Sequence, residues 1–159
     1  SMTMNECGLM DALQKRTDIT LLDRSKACSP EEVKEIYHKA LSCDYYFMST
    51  NAITLDGQLV NTDGTGNRVA ALIYGPENVI IIAGMNKVAA TLEEAESRVK
   101  NIASPPNAIR LDRKTPCALT GSCHDCFAEG CICSHTVITR RSAIKGRIKL
   151  ILVGEELGY

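Results

Sequence analysis

Cysteine is the residue type that offers this chain the most chemistry, and five of its eight cysteines fall within CALTGSCHDCFAEGCIC, residues 117–133. Four of the five follow the spacing C-x5-C-x2-C-x6-C, namely Cys117, Cys123, Cys126 and Cys133. A C-x2-C pair puts two sulfurs on one side of a tight turn, and two flanking cysteines can complete a set of four thiolates for tetrahedral zinc or an iron–sulfur cluster. The spacing therefore predicts a metal site at these four residues but does not name the metal, because it matches neither the paired zinc knuckle nor the common ferredoxin pattern.

Two other interpretations of this segment stay open: reduced thiols on a loop, or a disulfide under oxidising conditions. Clustered cysteines in an intracellular chain are more often ligands than disulfides. Either His124 or His135 could replace a sulfur ligand, although a surface position is expected for both. The remaining cysteines, Cys7, Cys28 and Cys43, are expected to be partly buried small apolar residues.

A second group of reactive side chains lies in NAITLDGQLVNTDGTGNR, residues 51–68. Seven of its polar side chains are candidates for a ligand site: Asn51, Thr54, Asp56, Asn61, Asp63, Asn67 and Arg68. They follow the predicted strand YYFMST, and in open α/β sheets ligands bind at the carboxyl ends of the strands. The free N–H groups of a helix that begins near Asn67 would attract an anion, with Arg68 as a partner. The alternative is that these Asn, Asp and Gly residues only build turns and a helix cap.

Caps and apolar periodicity predict the helices that position these residues. The first predicted helix covers residues 4–16, with a capping box at Thr3 and Glu6, and the second opens at Ser29-Pro30-Glu31-Glu32. The third follows the glycine turn and stops at Gly75-Pro76. The fourth is capped by Thr91 and Glu94 and ends at Pro105-Pro106. The predicted strands are residues 19–23, 45–50, two short strands that flank Asp56-Gly57, 78–84, 135–139 and 147–154.

Strands that alternate with helices predict an α/β fold with a mostly parallel sheet covered by helices on both faces. Residues 78–84 are apolar on both faces, which is typical of a central parallel strand. The last two strands form a C-terminal pair joined by a basic run that is expected to be solvated, or to dock an acidic partner: Arg140, Arg141, Lys145, Arg147 and Lys149. We expect one domain over residues 1–159, with residues 117–133 as an insert.

The whole-chain composition excludes several classes of function. The 159 residues are 45% hydrophobic and 23% charged, and the net charge of −1 does not favour nucleic acid or an anionic membrane. No apolar run reaches the roughly 20 residues of a membrane span. The first residues lack the pattern of a signal peptide, so a cytoplasmic protein is expected.

Several segments together resemble the lactate-utilisation (LUD) domain family almost from end to end. They are SMTMNECGLMDAL, MSTNAITLDGQLVNTDGTGNRVAALIYGP, VIIIAGMNKV, TPCALTGSCHDC and ILVGEELGY. The resemblance implies the fold of ribose-phosphate isomerase, glucosamine-phosphate deaminase and the CoA transferases (NagB/RpiA type), with a ligand at the strand ends. It also implies a link to the oxidation of L-lactate to pyruvate beside iron–sulfur partner proteins. The four spaced cysteines match those of a cysteine-containing subgroup.

The chain departs from the family pattern in two places. Family members carry a strand–helix–strand portion that ends in a Gly-Gly-Ser-x-Thr loop. Ser1 and Thr3 match the tail of this loop, so we expect that portion to be missing before Ser1. The second departure is Cys131, where the subgroup has another residue. Cys131 could compete as a ligand or pair with a neighbouring thiol.

Three functions follow, in order of preference. The first is an accessory or ligand-binding component of L-lactate utilisation, with zinc or an iron–sulfur cluster at the cysteines. The second is an isomerase- or transferase-type enzyme acting on a phosphorylated metabolite or a CoA thioester. The third is a small-molecule-binding domain with a purely structural zinc. A small anionic or phosphorylated ligand is expected at Ser1, Thr3, Asn51, Asp56, Asn61, Asp63, Asn67 and Arg68. The catalytic residues and the oligomeric state, including a homo-oligomer, are left open.

Overall fold

The computed structural model describes residues 1–159 and contains seven strands and seven α-helices. The strands are β1 Tyr45–Met48, β2 Ala52–Thr54, β3 Leu59–Asp63, β4 Asn78–Gly84, β5 Val88–Ala89, β6 His135–Thr139 and β7 Ile148–Val153. The helices are α1 Met2–Glu6, α2 Leu9–Gln14, α3 Pro30–Ala40, α4 Asn67–Ile73, α5 Leu92–Arg98, α6 Ser104–Arg110 and α7 Pro116–Thr120. Short 3₁₀ turns cover Arg24–Lys26 and Met85–Lys87, and a π-helical turn covers Val99–Ala103. None of the helices combines the length and the apolar character needed to cross a bilayer.

The strands form two sheets, and the predicted α/β class is confirmed. The first, which we call the parallel sheet, has the order β1-β4-β7 with both pairings parallel. The second, the mixed sheet, has the order β5-β2-β3-β6, in which only the β5–β2 pairing is parallel. The apolar strand β4 is central, as its sequence predicts, because both of its hydrogen-bonding edges are paired and most of its residues are buried.

The hydrophobic core has two parts. The larger joins the two sheets and α4, and its buried members are Met48, Ile53, Leu59, Leu72, Val79 and Ile81. The smaller packs α5 and the π-helical turn on the mixed sheet through Ala52, Val60, Ala89, Ala95 and Val99. The two sheets therefore share one core, and this places the carboxyl end of β1 beside the first residues of β2.

Several local predictions are confirmed by side-chain contacts. The Glu32 N–H donates to Ser29 Oγ (3.2 Å), so Ser29 caps α3 at the predicted helix start, and the Glu32 carboxylate accepts from the Cys28 N–H (2.7 Å). Gly57 adopts φ +89° in the turn of the β2–β3 hairpin. Gly75, at φ +132°, follows the end of α4.

The N-terminal predictions are wrong in two respects. The predicted helix over residues 4–16 is divided at Gly8, whose φ of +73° belongs to the left-handed region and separates α1 from α2. No side chain caps α1, and Thr3 lies inside it, buried. Residues 19–23 form no strand and pair with no other strand; instead the Asp23 carboxylate accepts from the Ser25 N–H and caps a 3₁₀ turn.

The predicted end of the fourth helix at Pro105-Pro106 is also wrong. The chain continues helically from α5 through the π-helical turn into α6, and both prolines occupy the first turn of α6. Proline is tolerated in a first turn because its missing N–H has no required partner there. The wider π turn lets the helix restart at Ser104 without a loop.

Both C-terminal strands are present, but they lie in different sheets. β6 pairs with β3 in the mixed sheet, whereas β7 pairs with β4 in the parallel sheet. The basic run between them is not solvated throughout, because Arg147 is buried. Its guanidinium donates to the carbonyl groups of Ala71, Leu72 and Pro76 (2.7–2.8 Å) and so satisfies the end of α4.

Candidate functional site

The most unusual ionisable group of the molecule is Lys87, which ends the 3₁₀ turn directly after β4. Its Nζ donates to Thr3 Oγ1 (2.9 Å) and to Ser49 Oγ (3.0 Å). Ser49 follows β1, and β1 pairs with β4 in parallel, so the two strands deliver Ser49 and Lys87 to the same sheet edge. α1 adds Thr3 from the other side. We call Thr3, Ser49 and Lys87 the strand-end site.

Lys87 is buried without a compensating carboxylate. Its relative exposure is 4%, and none of the four ion pairs of the structure includes it. Burial, followed by the charges of Arg98 and Arg68, lowers the pKa of Lys87 from 10.5 to about 8, against a smaller opposing effect of Glu6. A substantial neutral fraction of this amine therefore exists near physiological pH.

Arg68 organises the floor of this region. One guanidinium nitrogen, Nη1, donates to the Ser49 carbonyl (3.1 Å) and to Asn61 Oδ1 (2.6 Å). The other, Nη2, donates to Asn51 Oδ1 (2.8 Å) and to the Thr62 carbonyl (2.7 Å). Desolvation lowers the pKa of Arg68, against the opposing charges of Asp63 and Tyr46, and the guanidinium is a half-buried cation. Arg68 thus fixes the Ser49–Asn51 backbone against β3.

Asn61 leaves a buried donor without a partner. Its side chain is fully buried, and its Oδ1 accepts from Arg68 Nη1 and from the Asn51 N–H. Those two bonds fix the orientation of the amide, so Nδ2 points away from them and has no hydrogen-bond acceptor. An unsatisfied buried donor costs about 1–3 kcal/mol. The acceptor oxygen of a bound molecule would remove that cost.

Arg98 completes the positive charge around the strand-end site. Its Nε donates to the Asn86 carbonyl (2.8 Å), and its Nη1 donates to the Asn51 carbonyl (2.7 Å). Burial lowers the pKa of Arg98 as well. Two guanidinium groups and one amine therefore surround the carboxyl ends of β1 and β4, whereas the nearest acidic influence on Lys87 is Glu6.

Residues 157–158 cover the strand-end site. The Thr3 hydroxyl donates to the Leu157 carbonyl (3.3 Å), and the Leu157 N–H donates to Asn86 Oδ1 (3.1 Å). Gly158 is required at its position, because a Cβ there would lie 2.7 Å from Thr3 Oγ1 and 3.3 Å from Lys87 Nζ. The backbone of this segment therefore lies close to both Thr3 and Lys87.

The predicted ligand residues separate into two groups. Asn51, Asn61, Arg68 and Thr3 lie in this hydrogen-bonded region, and Ser1 is exposed at the start of α1. Asp56 lies at the turn of the β2–β3 hairpin, a strand length from Asn51, and its carboxylate accepts from Thr54 and Gln58.

The sequence predicted that the N–H groups at the start of α4 attract an anion, but these N–H groups are already hydrogen-bonded within the protein. Asp63 Oδ2 accepts from the N–H groups of Arg68 (3.0 Å) and Val69 (3.3 Å), so the protein's own carboxylate occupies the N–H groups that were expected to attract an anion. Asn67 begins α4 and makes no hydrogen bond through its side chain. Arg68 points into the protein and not toward this helix end.

Lys87, Ser49 and Arg98 were missed by the sequence analysis. A detectable signal existed for Lys87, since it lies three residues beyond the largely apolar strand NVIIIAG, where the carboxyl edge of a parallel sheet must be. Ser49 comes directly after β1, at the same edge. Arg98 carried no such signal, because its role depends on the packing of α5 against the start of β2.

The cysteine segment lies elsewhere and contains little regular structure after α7. Cys117 is buried in α7, 3.3 Å from Thr115 Oγ1, whereas Cys123 and Cys126 are half-buried in the loop that follows. Cys133 donates to Ser104 Oγ (3.5 Å) at the start of α6, and burial raises the pKa of its thiol. The Lys100–Asp125 ion pair (2.6 Å) ties the loop to the π-helical turn.

All eight cysteines are free thiols. The donor set has the chemistry that zinc or an iron–sulfur cluster needs, but no group of three or more His, Cys, Asp or Glu side chains is arranged to hold a metal ion. The metal site therefore stays a prediction. Of the remaining cysteines, Cys43 is partly buried as expected, whereas Cys7 and Cys28 are exposed, so the prediction for those two is wrong. His124 and His135 are exposed, as predicted.

The parallel sheet, the mixed sheet and the helices that pack on them define an α/β domain. The chain belongs to the LUD domain family, whose family model matches residues 1–153. This membership confirms the resemblance and fits a role related to lactate utilisation. No curated protein and no solved structure matches the chain with significance.

Proposed function

We propose that this LUD domain is a ligand-binding component of L-lactate utilisation, that it acts in the cytoplasm beside iron–sulfur partner proteins, and that it binds a small carboxylate at the strand-end site. The observation that carries the proposal is the buried Lys87, held by two hydroxyl groups at the carboxyl ends of β1 and β4 with no carboxylate partner.

The charges favour an anionic ligand. Lys87, Arg68 and Arg98 concentrate positive charge in a poorly solvated region, where the attraction for an anion is stronger than at the surface. Arg68 also donates to the carbonyl of Ser49, whose hydroxyl accepts from Lys87, so two of these three cations contact the same residue. A carboxylate supplies up to four acceptor positions, and lactate and pyruvate are small enough to require only a modest opening.

The cysteine segment supports the part of the proposal that concerns iron–sulfur partner proteins. Leu119 and Phe127 are almost fully exposed next to the cysteines, and exposed apolar groups of this kind favour contact with another protein. The four spaced cysteines and the family membership support a zinc or iron–sulfur site there. The isomerase or transferase alternative has no comparable support, because the carboxylates of Asp56 and Asp63 are bound within their own turns.

Isothermal calorimetry and thermal-shift measurements with lactate, pyruvate, a sugar phosphate and CoA test the proposal. We expect the two small carboxylates to bind and to raise the melting temperature, and Lys87→Met to weaken that binding at least about tenfold, since a charge-assisted hydrogen bond contributes about 1.5–3 kcal/mol.

Lys145→Met is the matched control, because Lys145 is exposed and lies far along the chain from the strand-end site. It should bind as the wild type does. Stabilisation by the sugar phosphate or CoA alone would instead support the isomerase or transferase alternative. A chain that binds none of the four compounds would contradict a ligand-binding role.

A further inference from the structure

We propose that Lys87 is a nucleophilic amine that forms a reversible imine with the carbonyl group of a small 2-oxo acid bound at the strand-end site. The inference rests on the proposed function, since it names the bond that this site makes with one class of its carboxylate ligands. It assigns a covalent role to Lys87, which a purely structural interpretation would treat only as a hydrogen-bond donor that connects α1 with the end of β1.

The partners of Lys87 suit a neutral amine as well as an ammonium. A carboxylate partner would hold the proton on Nζ, but a hydroxyl group can either accept from an ammonium or donate to a neutral nitrogen. The Ser49 hydroxyl makes only a long contact with the Thr50 carbonyl (3.4 Å), so its proton is free to turn toward Nζ. Loss of the ammonium proton therefore leaves no polar group of this site unpaired.

The surrounding charges select an anionic carbonyl compound. Arg98 and Arg68 act on Lys87 with positive charge, and Glu6 is the one acidic group that opposes them. The same charges that favour the neutral amine also attract the carboxylate of a ligand toward the two guanidinium groups, which leaves the carbonyl carbon for the amine. An amine nucleophile and a carboxylate-attracting field together describe a 2-oxo acid, in which carboxylate and carbonyl are adjacent.

The chemical step is balanced without a further reactant. The Nζ lone pair forms a C–N bond to the carbonyl carbon, and the carbonyl oxygen takes up a proton to give a carbinolamine. The amine nitrogen then loses its proton, the carbinolamine oxygen leaves as water, and a C=N bond forms. The Thr3 and Ser49 hydroxyl groups lie 2.9 and 3.0 Å from Nζ, within reach for moving those protons.

Access to Nζ requires residues 157–158 to move away from it. Four hydrogen bonds hold this segment: Thr3 hydroxyl to the Leu157 carbonyl (3.3 Å), Leu157 N–H to Asn86 Oδ1 (3.1 Å), Asn86 Nδ2 to the Gly158 carbonyl (3.1 Å), and Gly158 N–H to Glu6 Oε2 (2.5 Å). Opening by local unfolding would break these bonds and expose the buried Leu157 side chain.

Reductive trapping tests the inference. Wild-type protein is incubated with pyruvate and sodium cyanoborohydride near neutral pH, and the modified lysines are mapped by peptide mass spectrometry. We expect a 1-carboxyethyl group on Lys87, formed at least about tenfold faster than on the exposed Lys145, because each unit of lowered pKa raises the neutral amine fraction tenfold. Lactate, which lacks the carbonyl group, should give no adduct.

Lys87→Arg cannot form the imine and should lose this adduct, whereas Lys145→Arg, at an exposed position outside the strand-end site, should keep both the adduct on Lys87 and the binding of lactate. Pyruvate binding without labelling of Lys87 would overturn the imine and leave the proposed function standing. Absence of both binding and labelling in the wild-type chain would overturn the imine and the proposed function together.

Discussion

At the scale of single residues, Lys87 makes the stability of this protein depend on pH in an uncommon direction. Its folded-state pKa, about 8, lies below the ordinary value of 10.5. Below about pH 8 both the folded and the unfolded chain hold the proton, and the folded state bears the full desolvation cost. Between the two values the folded chain loses the proton while the unfolded chain keeps it, so the free energy of unfolding rises with pH.

We therefore predict that the wild type gains about 1–2 kcal/mol of stability relative to Lys87→Met between about pH 7 and about pH 10. Urea denaturation of both proteins across this range measures the difference, and other titrating groups cancel because both chains contain them. A difference that is constant with pH would mean that Lys87 titrates normally and that its burial does not perturb it.

At the scale of secondary-structure elements, Gly75 allows the chain just after α4 to pack closely against the end of α3. Its φ is +132°, and a Cβ at this position would lie 2.6 Å from the Leu41 carbonyl oxygen just after α3. Gly121 ends α7 with φ +78°, and a Cβ there would meet nothing within 4 Å. Both positions strain an alanine backbone, but only Gly75→Ala also adds a steric clash.

We predict that Gly121→Ala costs about 1 kcal/mol, since it introduces backbone strain alone, and that Gly75→Ala costs at least about 2 kcal/mol more. Thermal or urea unfolding of the two variants gives the comparison. Equal losses would show that the Leu41 carbonyl moves aside and that the α3–α4 contact is not tightly fixed.

The elements that the sequence predicted well are those whose signals are local. The Ser29 cap, the turn at Gly57 and the apolar run of β4 each depend on residues within a few positions of one another. The errors arose where a local signal had two outcomes. Pro105 follows a helix and normally stops it, but a π-helical turn places it in the first turn of the next helix.

At the scale of the whole molecule, the strand-end site depends on contacts that no local pattern encodes. Lys87 and Thr3 are 84 residues apart in the sequence. They meet only because β1 and β4 are neighbours and α1 lies over their ends. The family resemblance supplied Thr3, and the polar loop supplied Asn51, Asn61 and Arg68. The position of Lys87 at the centre of the site could not be predicted without the sheet topology, because the strand order decides which loops share an edge.

The cysteine segment raises the opposite problem, since its donors are plain in the sequence and are not gathered in the folded chain. Cys117 is fixed by α7, whereas its three predicted partners lie beyond Gly121 in a segment without helix or strand. Metal binding would therefore require this loop to rearrange, and the free energy of binding would include the cost of that rearrangement.

We predict that protein purified without oxygen carries zinc, or iron with labile sulfide, in a fixed ratio to the chain, as measured by elemental and sulfide analysis. Cys126→Ser should lose that metal, because it removes one of the four predicted ligands. Cys131→Ser should keep it, and Cys43→Ser is the control, because Cys43 lies before β1 and outside the segment. If the wild-type protein contains no metal, the segment is only a loop with free thiols. Metal lost from Cys131→Ser but kept in Cys126→Ser would replace Cys126 with Cys131 in the ligand set.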